Sequence, residues 1–126
     1  MNKTATDRIF ISGLALHANH GVMAHEAKVG QTFKLDILLD IDLSHASRSD
    51  RLAHTVSYGT VTEIATEAFC AQRFRLIEAA AGAVIDALLD KFPPIRKVQL
   101  TVHKPHAPIA ATFDDVGVII SRERAS

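Results

Sequence analysis

The chain has 126 residues and a mass of 13.7 kDa, the size of one domain, and its 48% hydrophobic content argues against intrinsic disorder. Fourteen basic residues balance fourteen acidic ones, so neither nucleic acid nor an anionic membrane is an expected partner, because both select a basic excess. No run of about 18 uncharged apolar residues occurs, which excludes a transmembrane helix, and the lone Cys70 has no intrachain partner, which points to a reducing compartment.

The polar start, Met1 to Arg8, lacks the apolar core of a signal peptide, and a cytoplasmic location is expected. From Arg8 to Ala18, residues Ile9, Ile11 and Leu14 predict a strand with imperfect alternation. Asn19 to Gln31 reads as a loop punctuated by Gly21 and Gly30. Phe33, Leu35, Ile37, Leu39, Ile41 and Leu43 then take every second position, with Lys34, Asp36, Asp40 and Asp42 between them. That spacing predicts a half-buried strand from Gln31 to Leu43.

The period changes next. Val61, Ile64, Ala65, Ala68 and Phe69 fall on one helical face, with Ser57 placed to cap the first turn. A second helical pattern runs through Ile77, Ala81, Val84, Ile85, Leu88 and Leu89, and Pro93 and Pro94 end it. Alternation returns at Val98, Leu100 and Val102, and a last strand is expected around Val116 to Ser121. The order ββααββ, with no repeat or linker, predicts a single α+β domain over residues 1–126. Its architecture is a four-stranded antiparallel sheet with two helices on one face. Lys34, Asp36, Asp40, Lys97, Gln99 and Thr101 populate the opposite face, which is wet or lines a polar channel in an assembly.

Three stretches carry candidate chemistry. The loop from Asn19 to Gln31 holds Glu26, either a solvated carboxylate or one that orients a polar substrate. Glu78 falls in the first turn of the second helix, where the macrodipole favours it without any ligand. Small residues follow Glu78, however, so a flat ring could approach, and a carboxylate can accept two parallel N–H bonds from an amidine-like edge. Lys104 follows a strand end and precedes Pro105; it is either a solvated cation or, if desolvated, a base. Tyr58, the only tyrosine, can pass a proton or simply pack. His17, His20, His25, His103 and His106 match no tight zinc spacing, so no protein-bound metal is expected.

Taken together, these segments resemble the dihydroneopterin aldolases of folate biosynthesis. The similarity lies in Gly21-Val22-x-x-x-Glu26-x-x-x-Gly30-Gln31-x-Phe33, in Thr55-Val56-Ser57-Tyr58 and in Leu76-Ile77-Glu78. It continues through His103-Lys104-Pro105-His106-Ala107-Pro108-Ile109 and Asp114-Asp115-Val116-Gly117-Val118. The resemblance implies the ββααββ tunnelling fold and a metal-free, cofactor-free retro-aldol cleavage. In it 7,8-dihydroneopterin yields 6-hydroxymethyl-7,8-dihydropterin and glycolaldehyde, with some epimerisation to dihydromonapterin. The substrate's own ring C=N would act as electron sink, in place of the lysine imine or zinc enolate of other aldolases.

By the same resemblance Glu78 binds the aminopyrimidinone edge with help from the Ile77 backbone, and Lys104 is the general acid/base. Glu26 binds the side-chain hydroxyls and orients a water or the lysine, and Tyr58 assists proton transfer at the ring-bound carbon. Val22 and Val56, inside two of the motifs, complete the substrate contacts. The tyrosine reaches in from a neighbouring subunit, so the resemblance implies a homo-oligomer: rings of four, stacked into an octamer, with sites between subunits. A dihydroneopterin phosphate or triphosphate epimerase on the same scaffold is the rival reading, but it calls for an Arg/Lys cluster that the sequence does not show. The same scaffold could also serve a zinc-dependent pterin synthase or a non-catalytic pterin-binding ring. Ala110-Ala111-Thr112 is expected to lengthen the loop at the rim of the site.

Overall fold

Residues 7–125 are described in a computed structural model; Met1–Thr6 and Ser126, the ends of the expected domain and most of the polar start, lie outside them. The first strand, β1 (Arg8–Ala18), has the bounds expected, and its broken alternation has a physical cause. Ile9 pairs with Leu39 and Ile11 with Ile37, but the next paired residue is Leu14, opposite Leu35. Ser12 and Gly13 thus share the space opposite Asp36, a β-bulge. Gly13 takes φ 71°, a left-handed conformation that glycine adopts without a Cβ penalty. Its N–H donates to Asp36 Oδ1 at 2.8 Å. The extra residue switches parity: Ile9 and Ile11 face the core before the bulge, Leu14, Leu16 and Ala18 after it.

β2 (Gln31–Asp40), β3 (Lys97–His103) and β4 (Gly117–Glu123) follow in spatial order, giving one four-stranded sheet, β1-β2-β3-β4, with every pairing antiparallel. β2 is shorter than its alternation predicts. Ile41 is still buried and its N–H donates to Asp7 O, one step further in the β1–β2 register, but there Asp7 Oδ2 accepts the Leu43 N–H and the chain turns away. A short helix, α2 (Ser44–Ser49), and a 3₁₀ turn (Leu52–His54) follow, neither of which the sequence pattern predicts. Both are too short to display a helical period.

The two expected helices are present as α3 (Tyr58–Cys70) and α4 (Ile77–Lys91). Ser57 caps α3, its hydroxyl accepting the Thr60 N–H at 3.4 Å. The helices cover one sheet face, burying Val61, Ala65 and Phe69 from α3 and Ala80, Ala81, Val84, Ile85 and Leu88 from α4. Against them lie Phe33, Leu35, Ile37 and Leu39 of β2 and Val98, Leu100 and Val102 of β3. Arg124 closes the C-terminal end of α4 by donating to the carbonyls of Leu89, Phe92 and Ile95.

The expected loop from Asn19 to Gln31 also contains a helix, α1 (Ala24–Val29). Its start is stabilised by Glu26, whose Oε1 accepts the Met23 N–H at 3.2 Å, one half of a capping box. Six residues are too few for a hydrophobic stripe, so the pattern shows only the glycines at either side.

The bulge yields a test. Gly13→Val places a β-branched residue at positive φ, so urea denaturation should show a loss of about 1–3 kcal/mol. An unchanged midpoint and slope would mean that β1 accepts a regular register.

Candidate active site

Glu26 and Lys104 are 78 residues apart in number (104 − 26) yet form an ion pair, Nζ to Oε2 at 2.7 Å. The helix α1 delivers the carboxylate from the β1–β2 connection. Lys104 is the first residue beyond β3. The glutamate side chain is 3% exposed and the lysine 15%, so neither is the solvated charge that composition favours. Burial pushes the Glu26 carboxyl up, but hydrogen bonds from Lys104, the Met23 N–H and the Gln31 amide outweigh it, and its pKa lies below the ordinary value. Desolvated charges need this completeness, because an ion pair taken from water is held only by good geometry and further hydrogen bonds.

The loop ahead of α1 is shaped around that carboxylate. Gly21 has φ 139°, and a Cβ there would overlap the Glu26 carboxyl group. Its N–H donates to Phe74 O at 3.0 Å, and its carbonyl accepts from Arg73 Nη2. Arg73 also donates to Asn19 O at 3.2 Å. Next to it, His20 is buried among Phe33, Phe69 and Phe74. His20 Nδ1 accepts the Phe74 N–H, which leaves Nε2 to donate to Phe69 O, and burial holds its pKa below 6.5. This neutral imidazole therefore fixes the loop to the α3–α4 connection. No local pattern marks Arg73 for this role, since its acceptors are carbonyls more than 50 residues away.

Glu26 and Lys104 open onto a cavity of about 310 Å³, within the usual range for small-molecule sites. Val22 and Met23 form one wall, Ile77 and Glu78 another, and Ala107, Pro108, Ile109 and Val116–Val118 the rest. Glu78 stands in the first turn of α4, as expected. The small residues after it do not supply a ring platform, however: Ala80 and Ala81 are fully buried and let α4 pack against the core. The apolar surface available to a flat ring comes instead from Val22, Ile77, Pro108, Ile109 and Val118. Lys104 is the only cation lining this cavity among the described residues, facing two carboxylates.

Two expected site residues are elsewhere in the chain. Tyr58 is 66% exposed and borders a separate depression with Arg8, Phe10, Ile11, Leu43 and Thr62. Val56 is buried in the core, so its side chain does not reach the cavity. Among the described residues no group of three or more His, Cys, Asp or Glu side chains is arranged to hold a metal ion.

The likeness of this chain to known proteins is specific. The sequence profile of the dihydroneopterin aldolase family (FolB) matches residues 9–121. The chain is 41% identical over 119 residues to a dihydroneopterin aldolase of Methylorubrum extorquens, covering 94% of this chain and 92% of that protein. It is 40% identical to one from Streptomyces coelicolor over 118 residues, 94% and 98% of the two chains. The fold superposes, with a TM-score of 0.84 and 32% identity, on Escherichia coli dihydroneopterin aldolase in complex with neopterin, covering 93% and 99% of the two chains.

The depressed Glu26 pKa has a defined sign. A carboxyl whose folded pKa lies below 4.5 contributes stability that is present above that pH and lost as pH falls through the folded value. Chemical denaturation across the acid range should therefore show a fall in wild-type stability that Glu26→Gln reduces. Parallel curves for the two proteins would assign the acid sensitivity to other groups.

Proposed function

The chain belongs to the dihydroneopterin aldolase family, a family of lyases, and we propose that the cavity between Glu78 and the Glu26–Lys104 pair cleaves 7,8-dihydroneopterin by a retro-aldol reaction. The observation that carries this reading is the placement of a buried, paired lysine across one cavity from a helix-start carboxylate. The first can move a proton; the second can hold an aminopyrimidinone edge.

The chemistry follows from those positions. Glu78 accepts two parallel N–H bonds from the pterin ring, assisted by the Ile77 backbone, while Val22 and Pro108 contact the ring faces. Lys104 Nζ, in its neutral amine form and directly or through a water, takes the proton of the side-chain hydroxyl whose oxygen becomes the aldehyde. The carbon–carbon bond breaks, its electron pair passes into the ring C=N, and glycolaldehyde leaves. A proton then returns to the ring-bound carbon to give 6-hydroxymethyl-7,8-dihydropterin. Glu26 orients the lysine throughout and binds the side-chain hydroxyls. Holding the reacting atoms in place and moving protons, through Lys104 with help from Tyr58 at the ring-bound carbon, are the protein's contribution. Re-addition of glycolaldehyde to the other face gives some dihydromonapterin. A triphosphate substrate fits poorly, since one lysine stands against two carboxylates at the wall.

Tyr58 enters this reading from a second subunit; the Val56 side chain, buried in its own core, does not. Tyr58 is exposed on its own chain beside the apolar Phe10, away from the cavity it would serve. We assign a homo-oligomer of four-membered rings, stacked into an octamer, with the polar sheet face along the central channel. Among the described residues no helix is long and apolar enough to cross a membrane. The single cysteine supports a cytoplasmic location.

Anaerobic incubation with 7,8-dihydroneopterin and a chelator should give hydroxymethyldihydropterin and glycolaldehyde in equal amounts by chromatography; isomer alone would reassign the activity to an epimerase. Lys104→Ala should retain pterin binding and lose at least about a hundredfold in turnover, as for a removed acid/base. Glu78→Gln should weaken pterin affinity, measured by fluorescence titration, because an amide cannot accept two N–H bonds. Shared sites predict complementation: mixing inactive Lys104→Ala and Tyr58→Ala subunits should restore part of the activity, and no recovery after verified subunit exchange would place each site within one chain.

A further inference from the structure

The polar face of the sheet bears a side-chain cluster that the cleavage reaction leaves unused. His103 ends β3 and points away from the cavity, since neighbouring strand residues alternate faces and Lys104 turns to Glu26. His103 Nε2 lies 2.7 Å from Asp36 Oδ2 on β2, and Nδ1 lies 2.5 Å from Asp115 Oδ2 in the segment leading to β4. Only the imidazolium can donate from both nitrogens. Asp115 Oδ1 accepts the Val116 N–H at 2.8 Å, and Val116 O accepts the Lys104 N–H at 2.6 Å. Asp36 Oδ1 is itself held by the Gly13 N–H of the bulge. A continuous hydrogen-bonded path thus runs from β1 through Asp36, His103, Asp115 and Val116 to the backbone of Lys104.

This path begins where the regular ladder stops. β3 ends at His103 and β4 starts at Gly117, so the Lys104–Val116 bond is the first beyond the paired strands. The imidazole and both carboxylates are partly exposed, and ion pairs so placed contribute little to overall stability. The position of the cluster, one residue from the lysine, is what gives it a consequence.

We propose that His103, clamped between Asp36 and Asp115, is a positioning residue that sets the backbone of Lys104, and so its amine, for proton transfer. This rests on the role given to Lys104 above. The charged groups facing His103 are Lys34, directly across in register, and Asp36 from β2, with Asp114 and Asp115 from the segment before β4; Gly117 opposite it on β4 offers none. The hydrogen bonds to Asp36 and then Asp115 raise the imidazole pKa above 6.5. The clamp is therefore complete below that pH and is lost as pH rises through the raised value.

The test uses the full-length enzyme with 7,8-dihydroneopterin, comparing kcat and KM across about pH 6 to 9, the range over which histidine changes charge. His103→Ala should lower kcat about tenfold, the scale of a slightly misplaced acid/base group, with KM within about twofold because the ring is held elsewhere. His103→Arg bridges both carboxylates with a permanent charge, so it should restore kcat to within about threefold and abolish the decline of kcat with rising pH. Should His103→Ala not fold, His103→Gln takes its place with the same expected split. Wild-type kcat in the alanine or glutamine variant, equal changes in kcat and KM, or failure of arginine to rescue would each overturn the clamp. Lys104→Ala, assayed alongside, separates the two readings: full turnover there removes the lysine mechanism itself, whereas loss there with normal His103→Ala turnover removes only the clamp.

Discussion

The buried contact between Glu26 and Lys104 is the constraint around which the rest of the molecule is arranged. Two desolvated charges are tolerated only with good geometry and further hydrogen bonds, and much of the surrounding structure supplies these to the carboxylate. The Met23 N–H and the Gln31 amide complete the carboxylate. Gly21 leaves room for it, Arg73 and His20 anchor the loop that carries it, and α1 presents it as a helix-start residue. A group that would be an ordinary capping glutamate elsewhere thereby becomes the fixed counter-charge of a lysine in a cavity.

The sheet separates two tasks by face. Toward the helices it is continuously apolar, and the cavity opens at the end of that layer, where β3 stops and α4 begins. On the other face the same strands carry Lys34, Asp36, Gln99, Thr101 and His103. Consecutive residues at the end of β3 belong to the two worlds: His103 to the polar face and Lys104 to the cavity. A strand's alternation makes this adjacency inevitable, and it provides a short route by which charge on one face can affect geometry on the other.

The electrostatic balance of the cavity restricts what it can hold. Two carboxylates and one lysine favour a ligand with N–H donors and hydroxyls over a polyanion. Its open side and the distant, exposed Tyr58 agree with a site completed by a second copy of the chain, since large aromatic surface is seldom left uncovered next to other apolar groups. Cleavage of a carbon–carbon bond in such a site depends on position more than on strongly activated groups, because the substrate ring carries its own electron sink.

Periodicity by itself determined the α+β architecture. Six apolar residues at alternate positions in β2 and two helical stripes suffice, because each pattern can bury its apolar face in only one type of element. Motif spacing marked Glu26, Glu78 and Lys104, although their residue types alone fit solvated charges equally well. Tertiary structure alone decided the matters that depend on distant partners. The Gly13 bulge that switches the parity of β1 is defined by its pairing with Asp36. The helix at Glu26 is too short to have a period, and Ala80 and Ala81 turn out to serve packing in place of a ligand. The support from Arg73 and His103 runs through contacts 12 to 67 residues apart, which no local pattern records. Local sequence sets which face of an element is apolar; only the assembled sheet sets which charges meet.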